Sequence, residues 1–315
     1  MQKEDQNMSA LQKYYRKPKL FFKLPSQLHF YNDDQIDEEE ELSSLKEVGV
    51  MPMTTLNELE MKNPEALING TAIEHLIRDC TTLKNINPKK LIKSDVDALL
   101  VGIKMASIDD HTHNFTVTCN NEECSHEFVY PRNLDKVLNS IEPLDDDYTL
   151  EIEQGENAKL IIHLRPSLYE EHIEVDNQHF NERKKLREIE KKVENIEVEE
   201  NEETFEDQKI QFYGMITQIF TDMSNDAINT HAKNIVKVHI KDDSEGIDEV
   251  VEDYDEILAW LRDLDSDHYF KIRDKISEIN SKGLDDVETI QCPECEHSWD
   301  QHFDINLTDF FGSGF

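Results

Sequence analysis

The sequence predicts an α+β protein: a helical N-terminal unit and a helical C-terminal unit joined by two β-hairpin zinc knuckles (a split zinc ribbon), with an acidic α/β insertion between them. Two cysteine pairs of similar pattern lie far apart in the chain, as in a metal site assembled from two hairpins. Apolar residues at helical spacing precede each pair. A charge-rich stretch separates the two regions, which predicts an insertion closed by the metal.

The two cysteine pairs share a local pattern. Cys119 and Cys124 have four residues between them, and Cys292 and Cys295 have two. A strand-like lead-in precedes each pair, and a Cys-x-His-x-aromatic sequence ends it: Cys124-Ser125-His126-Glu127-Phe128 and Cys295-Glu296-His297-Ser298-Trp299. Thiolates are preferred zinc ligands, and a short spacing lets one turn present both sulfurs. The sequence therefore predicts one structural zinc ion bound by all four thiolates.

The sequence alone leaves other interpretations of the cysteines open. The pairs could be turns without a metal, or each pair could form a disulfide, although a reducing compartment disfavours disulfides. His126 or His297 could replace a cysteine as a ligand. A site with four thiolates has no open coordination position, so we expect a structural rather than a catalytic role.

Composition limits the classes of partner. The 315 residues include 69 acidic and 33 basic side chains, with a formal net charge of −36. This balance argues against nucleic-acid binding and against adsorption to anionic membranes, because both need a basic surface. It favours basic partner surfaces. The sequence has no apolar run of membrane-spanning length and no signal-peptide core at its start, and its cysteines are typical of a reducing cytoplasm.

Breaks in composition and periodicity predict four segments. They are an N-terminal extension (1–47), a helical unit with the first cysteine hairpin (48–132), an acidic insertion with a hairpin and a charged helical arm (133–207), and a helical unit with the second cysteine hairpin and an aromatic tail (208–315).

Three helices are predicted before the first cysteine pair, from apolar residues at helical spacing: 56–61, 71–80 and 95–108. Residues 94–97 resemble a capping box for the third helix. Cys80 lies on the apolar stripe of the second, and we interpret it as a buried thiol. A basic cluster at residues 13–19 is either a flexible tail or an arm that binds an acidic partner or this protein's own acidic body. The aromatic-rich residues 20–31 should pack as an extended segment.

Alternation and helical spacing continue after the first pair, with predicted strands at 148–152, 159–164 and 236–240 and predicted helices at 169–194, 212–220, 253–264 and 267–279. The charged helix 169–194 has one apolar seam, which fits a solvated helix or a contact with another molecule. Residues 194–207 are an acidic linker and the best candidate for a mobile loop. An acidic turn follows residue 240, and the aromatic C-terminal end should pack on a surface.

Catalytic patterns are missing from the sequence. His111 and His113 next to Asp109 and Asp110 could imitate a metal site, but a polar loop is the simpler interpretation. The chain has no Gly-rich phosphate loop and no nucleophile elbow. No spacing selects a carboxylate pair for acid–base chemistry. We therefore predict a non-enzymatic protein without a small-molecule substrate.

Several short motifs occur in a fixed order: Leu24-Pro25-Ser26 with Tyr31, residues 50–54, the Asn69-Gly70 turn, an Asp-rich helix start, the two cysteine hairpins and Phe310-Phe311. In this order the chain resembles the baseplate hub family of T-even-type contractile-tailed bacteriophages, which comprises hub subunits and hub-assembly proteins. The resemblance covers residues 20–130 and 205–315.

The resemblance implies a viral structural or assembly protein without enzymatic activity. Such a protein would contact other phage tail baseplate proteins, bind neither nucleic acid nor membrane, and join the virion tail baseplate after synthesis in the host cytoplasm. Cysteine pairs occur in some relatives, and here the four paired cysteines are the matching positions. An alternative of another class is a zinc-ribbon adaptor that binds a host or viral protein, for example in transcription. Acidic residues flank both pairs, whereas ribbons that contact nucleic acid have basic flanks.

Overall fold

The computed structural model describes residues 14–31, 47–83, 86–155, 158–196, 202–242, 244–303 and 310–311. The architecture is mixed α/β with small antiparallel sheets, in agreement with the predicted class. The chain divides into two compact units. The first comprises Met1–Leu67, Thr71–Pro143 and Gly283–Phe315, and the second comprises Ile68–Gly70 and Leu144–Lys282. The four-segment division drawn from the sequence stays a prediction.

The N-terminal part of the first unit contains two short paired strands and four helices: β1 (Leu20–Phe22), β2 (Val48–Val50), α1 (Thr55–Glu60), α2 (Pro64–Ile68), α3 (Thr71–Cys80) and α4 (Lys93–Ser107). Nine consecutive residues of α4, 98–106, are buried, as in a helix at the centre of a core. β1 approaches α4 at Gly102, where a Cβ would lie 2.6 Å from the Phe22 ring. Only glycine allows this close approach.

The predicted apolar face of α3 is confirmed. The buried residues of this helix are Ala72, Ile73, Leu76, Ile77 and Cys80. The Cys80 thiol is fully buried, and burial raises its pKa. The first helix, α1, ends at Glu60, and Pro64 begins α2, a position where its missing N–H breaks no helical hydrogen bond.

The predicted capping box at the start of α4 is wrong. Ile92 is the N-cap residue and forms no side-chain cap bond. The buried Ser94 hydroxyl has no hydrogen-bond partner in the described part of the chain, and Asp97 pairs with Lys93. Neither Ser94 nor Asp97 therefore caps this helix.

Asp95 is fully buried and binds the N-terminal segment. Its carboxylate accepts hydrogen bonds from the Ser26 backbone N–H (2.8 Å), the Ser26 hydroxyl (2.5 Å) and the Tyr31 hydroxyl (2.5 Å). The Tyr31 oxygen in turn accepts from the Ile92 backbone N–H at 2.8 Å. Burial raises the pKa of Asp95 to about 6, although these hydrogen bonds favour its ionised form.

Two residues of the basic N-terminal cluster contact the protein's own body. Arg16 donates to the backbone oxygens of Pro52 and Asp79, and Lys19 donates to that of Ala106 at 3.1 Å. Asp79 and Ala106 lie in the last turns of α3 and α4, where cations are favoured by the helix dipole. Lys13, which belongs to the same cluster, lies outside the described residues.

The chain then forms β3 (Thr112–Thr118), β4 (Glu127–Asn133) and α5 (Leu134–Asn139). The second unit follows with a four-stranded antiparallel sheet of β5 (Tyr148–Glu153), β6 (Ala158–Leu164), β7 (Ile235–Asp242) and β8 (Ile247–Val251), in that spatial order. Its helices are α6 (Tyr169–Ile196), α7 (Glu202–Asn234), α8 (Tyr254–Asp263) and α9 (Ser266–Ser281).

Two sequence-based assignments in the second unit need correction. The predicted linker extends to residue 207, but α7 already begins at Glu202, because glutamates are good helix formers and suit a helix N-terminus. Residues 197–201 of the predicted linker lie outside the described residues. The acidic stretch after residue 240 includes β8, in which Asp248 pairs across from Lys241.

The chain returns to the first unit with β9 (Val287–Gln291) and β10 (Ser298–His302). Phe310 and Phe311 near the C-terminal end are buried, with Lys104 at 5.7 and 5.8 Å from their ring centroids. Residues 304–309 and 312–315 of this end lie outside the described part. Among the described helices, none is both long enough and apolar enough to cross a membrane.

Candidate metal centre

The two cysteine hairpins, β3–β4 and β9–β10, have the same backbone arrangement at their tips. The first cysteine of each pair directly follows a strand. The Cys119 N–H donates to the His126 carbonyl at 2.9 Å, and the Cys292 N–H donates to the His297 carbonyl at 2.9 Å. Each tip is therefore a closed turn with the pair of cysteines inside it.

A left-handed residue tightens each turn directly after the second cysteine. Ser125 has φ 46° and Glu296 has φ 58°. The amides of these two residues donate back into the turn at 3.0 Å, to the carbonyls of Asn121 and Cys292 respectively. This conformation is uncommon for residues other than glycine, and here it folds both sulfurs of a pair to one side.

The four sulfurs meet in one cluster. The Sγ atoms of Cys119 and Cys295 are 3.7 Å apart, and those of Cys124 and Cys292 are 3.9 Å apart. All four sulfurs lie within 4.8 Å of one another, and all are free thiols. A tetrahedral zinc site with Zn–S bonds of about 2.3 Å has sulfur–sulfur edges of about 3.8 Å, whereas a disulfide bond is about 2.05 Å long. The cluster could therefore hold a metal ion.

Burial differs between the ligand candidates. Cys119 and Cys292, the first cysteine of each pair, are buried. Cys124 is half-buried and Cys295 is exposed. Each hairpin thus contributes one inner and one outer sulfur, and the outer side of the cluster is open to solvent for entry of an ion.

The thiols differ in acidity. Burial raises the pKa of Cys292, but the backbone N–H groups of Cys295 and Glu294 stabilise its thiolate and lower the pKa to about 7. An N–H of His126 lowers the pKa of Cys124, but burial and the neighbouring thiols outweigh it and raise the pKa to about 12. Four adjacent thiols cannot all ionise at neutral pH without a cation. Metal binding would therefore release protons and should strengthen as pH rises.

A small aromatic core supports the cluster. Val117, Ile290 and Phe303 are buried together, and four partly buried aromatic rings pack around them: Phe115, Phe128, Tyr130 and Trp299. The rings of Phe128 and Trp299, one from each hairpin, meet edge to face at 6.3 Å. The aromatic residue of each Cys-x-His-x-aromatic sequence therefore packs the two hairpins together.

Arg132 is a further link between the hairpins that the sequence analysis missed. Its guanidinium donates to the Asp285 carbonyl at 2.7 Å and lies 3.5 Å from a Glu288 carboxylate oxygen. It also lies over the Phe303 ring, 4.7 Å from the centroid. The side chain is buried, and these contacts replace part of its hydration, although its Nε has no hydrogen-bond partner in the described part of the chain. Its position on a strand next to a proline gave no signal of this role.

The histidines next to the cysteines have other contacts. The His126 ring stacks on Phe128 with centroids 6.2 Å apart, and the His297 ring stacks on Trp299 at 5.9 Å. Within the described residues, only the four cysteines form a group with metal-ligand geometry. The alternative in which a histidine replaces a cysteine has no support from this arrangement.

The His111 and His113 region is not a metal-ligand group among the described residues. His111 contacts the Asp135 carboxylate at 3.1 Å. His113 lies on β3 and is buried, with its ring 4.7 Å from that of Phe115 and 4.8 Å from that of Phe310. The expected polar loop is thus correct for residues 109–111 only.

The surface around the sulfurs is acidic, with exposed glutamates at positions 122, 123, 127, 294 and 296. A ribbon that contacts nucleic acid needs basic groups at this place. The site and fold define a class of protein: a mixed α/β protein with a four-thiol centre whose donor set is that of a closed, structural metal site.

Comparison with known families identifies the chain further. Residues 35–223, more than half of the sequence, match the family described as T4 bacteriophage base plate protein, and the chain belongs to that family. The matched stretch includes Cys119 and Cys124 and ends before Cys292. Neither the search of curated proteins nor that of solved structures found a match. Membership indicates a phage baseplate structural protein in the virion tail that contacts other tail proteins, and a structural family suggests a non-enzymatic role.

Proposed function

We propose that the chain is a hub subunit or a hub-assembly protein of a T4-type baseplate. It acts without catalysis, through contacts with other baseplate proteins, and it enters the virion tail after synthesis in the host cytoplasm. The family match over residues 35–223 carries the baseplate part of this proposal. The order of motifs, from Leu24-Pro25-Ser26 to Phe310-Phe311, supports the hub part.

The second part of the proposal is one structural zinc ion bound by Cys119, Cys124, Cys292 and Cys295. The donor set supports it, because four thiolates favour zinc or iron over harder ions. The two measured sulfur–sulfur contacts, 3.7 and 3.9 Å, fit the edges of a zinc tetrahedron. The ion would hold together two hairpins whose own core is small, and it would leave no open position for catalysis.

Metal analysis of the purified protein tests the zinc. Wild-type protein should contain one zinc ion per chain and show no iron absorption. Cys292→Ser should lose the zinc, because only three of the four thiolate ligands remain. Cys80→Ser is the matched control. Cys80 is buried but does not belong to the four-sulfur cluster, so this variant should keep the wild-type zinc content. Equal zinc content in Cys292→Ser and wild type would refute the site.

Infection with a phage that lacks this protein tests the hub role. We expect infected cells to accumulate incomplete baseplates and no tailed particles, and a plasmid copy of the wild-type chain should restore assembly. Mass spectrometry of purified virions then separates the two forms of the role. A hub subunit is present in the mature particle, whereas an assembly protein is present only in intermediates. Normal infection without the protein would contradict both.

A further inference from the structure

A stretch of α7 lacks charge in a chain that is otherwise dense in charge. From Ile210 to Thr221 twelve consecutive residues carry no charge, although 32% of all residues are charged. Ile210, Tyr213 and Phe220 on this stretch are 69%, 65% and 57% exposed. Large apolar side chains on an uncharged surface mark an interaction site.

Most of the exposed residues of this stretch lie on one face of the helix, whereas Met215 and Gln218 are exposed on other faces. Seven of them follow a heptad pattern and are all exposed, and we call them the α7 stripe: Ile210, Tyr213, Gly214, Thr217, Phe220, Thr221 and Ser224. The more buried residues of the same region, Ile216, Ile219 and Met223, lie on a different face, and α6 packs against α7. The α7 stripe is therefore free for a second helix, at the spacing that helix pairs use.

The stripe is complementary to itself. If a second copy lies antiparallel with a twofold axis at Thr217, each large residue is level with a small one. Ile210 is then level with Ser224 of the second copy, Tyr213 with Thr221, and Phe220 with Gly214. A face that provides both the large side chains and the gaps for them suits an interface in which both partners use the same surface.

We propose that the α7 stripe binds the α7 stripe of a second copy of this chain, antiparallel about an axis at Thr217. The α6–α7 hairpins of two copies then form a four-helix arrangement. Two chains of net charge −36 repel each other, so contact through an uncharged face keeps this repulsion small. The stripe from 210 to 224 is about 21 Å long, which is short for a protein interface, so the association should be weak and concentration-dependent.

Sedimentation equilibrium of the full chain tests this dimer. It compares the wild type with variants at two neighbouring residues, Thr217 and Gln218. Wild-type protein should shift from monomer to dimer as concentration rises, and added salt should strengthen the dimer by screening repulsion. Thr217→Arg places two like charges at the axis and should reduce the association constant about a hundredfold or more. Gln218→Arg is the control, because residue 218 points about 100° away around the helix and should leave association unchanged.

Arginine is a better helix former than threonine, so Thr217→Arg should not weaken α7 itself, and circular dichroism checks this. A wild-type chain that stays monomeric at every concentration would overturn the proposal and would assign the stripe to a different protein. Equal loss of association in both variants would also overturn it. Neither result bears on zinc content or on incorporation into tails, so the proposed function is tested separately.

Discussion

The helical core around α4 and the two cysteine hairpins belong to the same unit but are stabilised differently. In α4, residues 98–106 are all buried, so this region buries much more apolar surface than the hairpins do. Among the described residues, the hydrophobic cluster between the hairpins has three buried members, Val117, Ile290 and Phe303. Isolated two-stranded hairpins are marginal in water. We therefore expect the hairpins to depend on metal binding at their sulfur cluster and the helices to be independent of it.

Removal of the metal should give the largest effect, and it should act on the cysteine hairpins and not on α4. Structural zinc contributes on the order of 10 kcal/mol to folding in small zinc domains. We expect a strong chelator to abolish amide hydrogen-exchange protection in residues 112–133 and 287–302. Protection in α4 should persist, because no ligand candidate lies in that helix.

Readdition of zinc to the chelated protein is the control and should restore protection in both hairpins. Loss of protection in α4 to the same extent as in the hairpins would show that the two regions unfold as one. Unchanged hairpins would show that their aromatic core and Arg132 suffice without an ion.

A substitution that leaves a cavity beside α4 should have the next largest effect, and it should act on the helical core and not on the hairpins. Leu99 is fully buried, so Leu99→Ala should lower the free energy of unfolding by about 2–5 kcal/mol. Denaturant unfolding measures this loss, while zinc content should stay at the wild-type level. Val129→Ala, at an exposed position of β4, serves as the control with an expected change within about 0.5 kcal/mol. Loss of zinc in Leu99→Ala would contradict the independence of the two regions.

The smallest of the three effects concerns the pH dependence of the helical region. The folded-state pKa of Asp95 is about 6, above its ordinary value, so the folded state binds more protons between these values. Stability from this group is therefore highest at low pH and falls as pH rises from about 4 to 6, by on the order of 2–3 kcal/mol. Urea unfolding at several pH values should show this fall in wild type.

Asp95→Asn should remove most of this pH dependence, whereas Asp97→Asn, at a less buried position of the same helix, should retain it. The difference between the two variants isolates Asp95 from the many other carboxylates. A curve for Asp95→Asn that runs parallel to wild type would show that Asp95 titrates normally in the folded protein.

Local pattern was enough to predict much of this fold. The spacing of Ile73, Leu76 and Ile77 predicts α3 because a helix of 3.6 residues per turn places them on one face. The two cysteine pairs predict hairpins with paired sulfurs, since the turn geometry is set within a few residues. The family resemblance also depended on short motifs, and the family match supports its baseplate part.

Contacts between distant residues could not be predicted from local pattern. Asp95 lies inside the predicted capping box, yet its partners Ser26 and Tyr31 lie more than 60 residues away. β8 contains acidic residues that local propensity disfavours in strands, and its pairing with β7 overrides this. Arg132 gave no local signal of its contact with Asp285, which is 153 residues distant. In each case the sequence shows the charge and hydrogen-bonding groups of the residue but does not show which distant residue it contacts.

The sulfur cluster also orders events during synthesis. Cys124 and Cys292 are 168 residues apart in sequence. At about 5–20 residues per second, the ribosome needs roughly 8–34 s to make the chain between them. During that interval the first pair of cysteines has no partner pair, while Leu144–Lys282 of the second unit is translated. A polypeptide truncated before Cys292 would leave the ribosome without the second pair of cysteines.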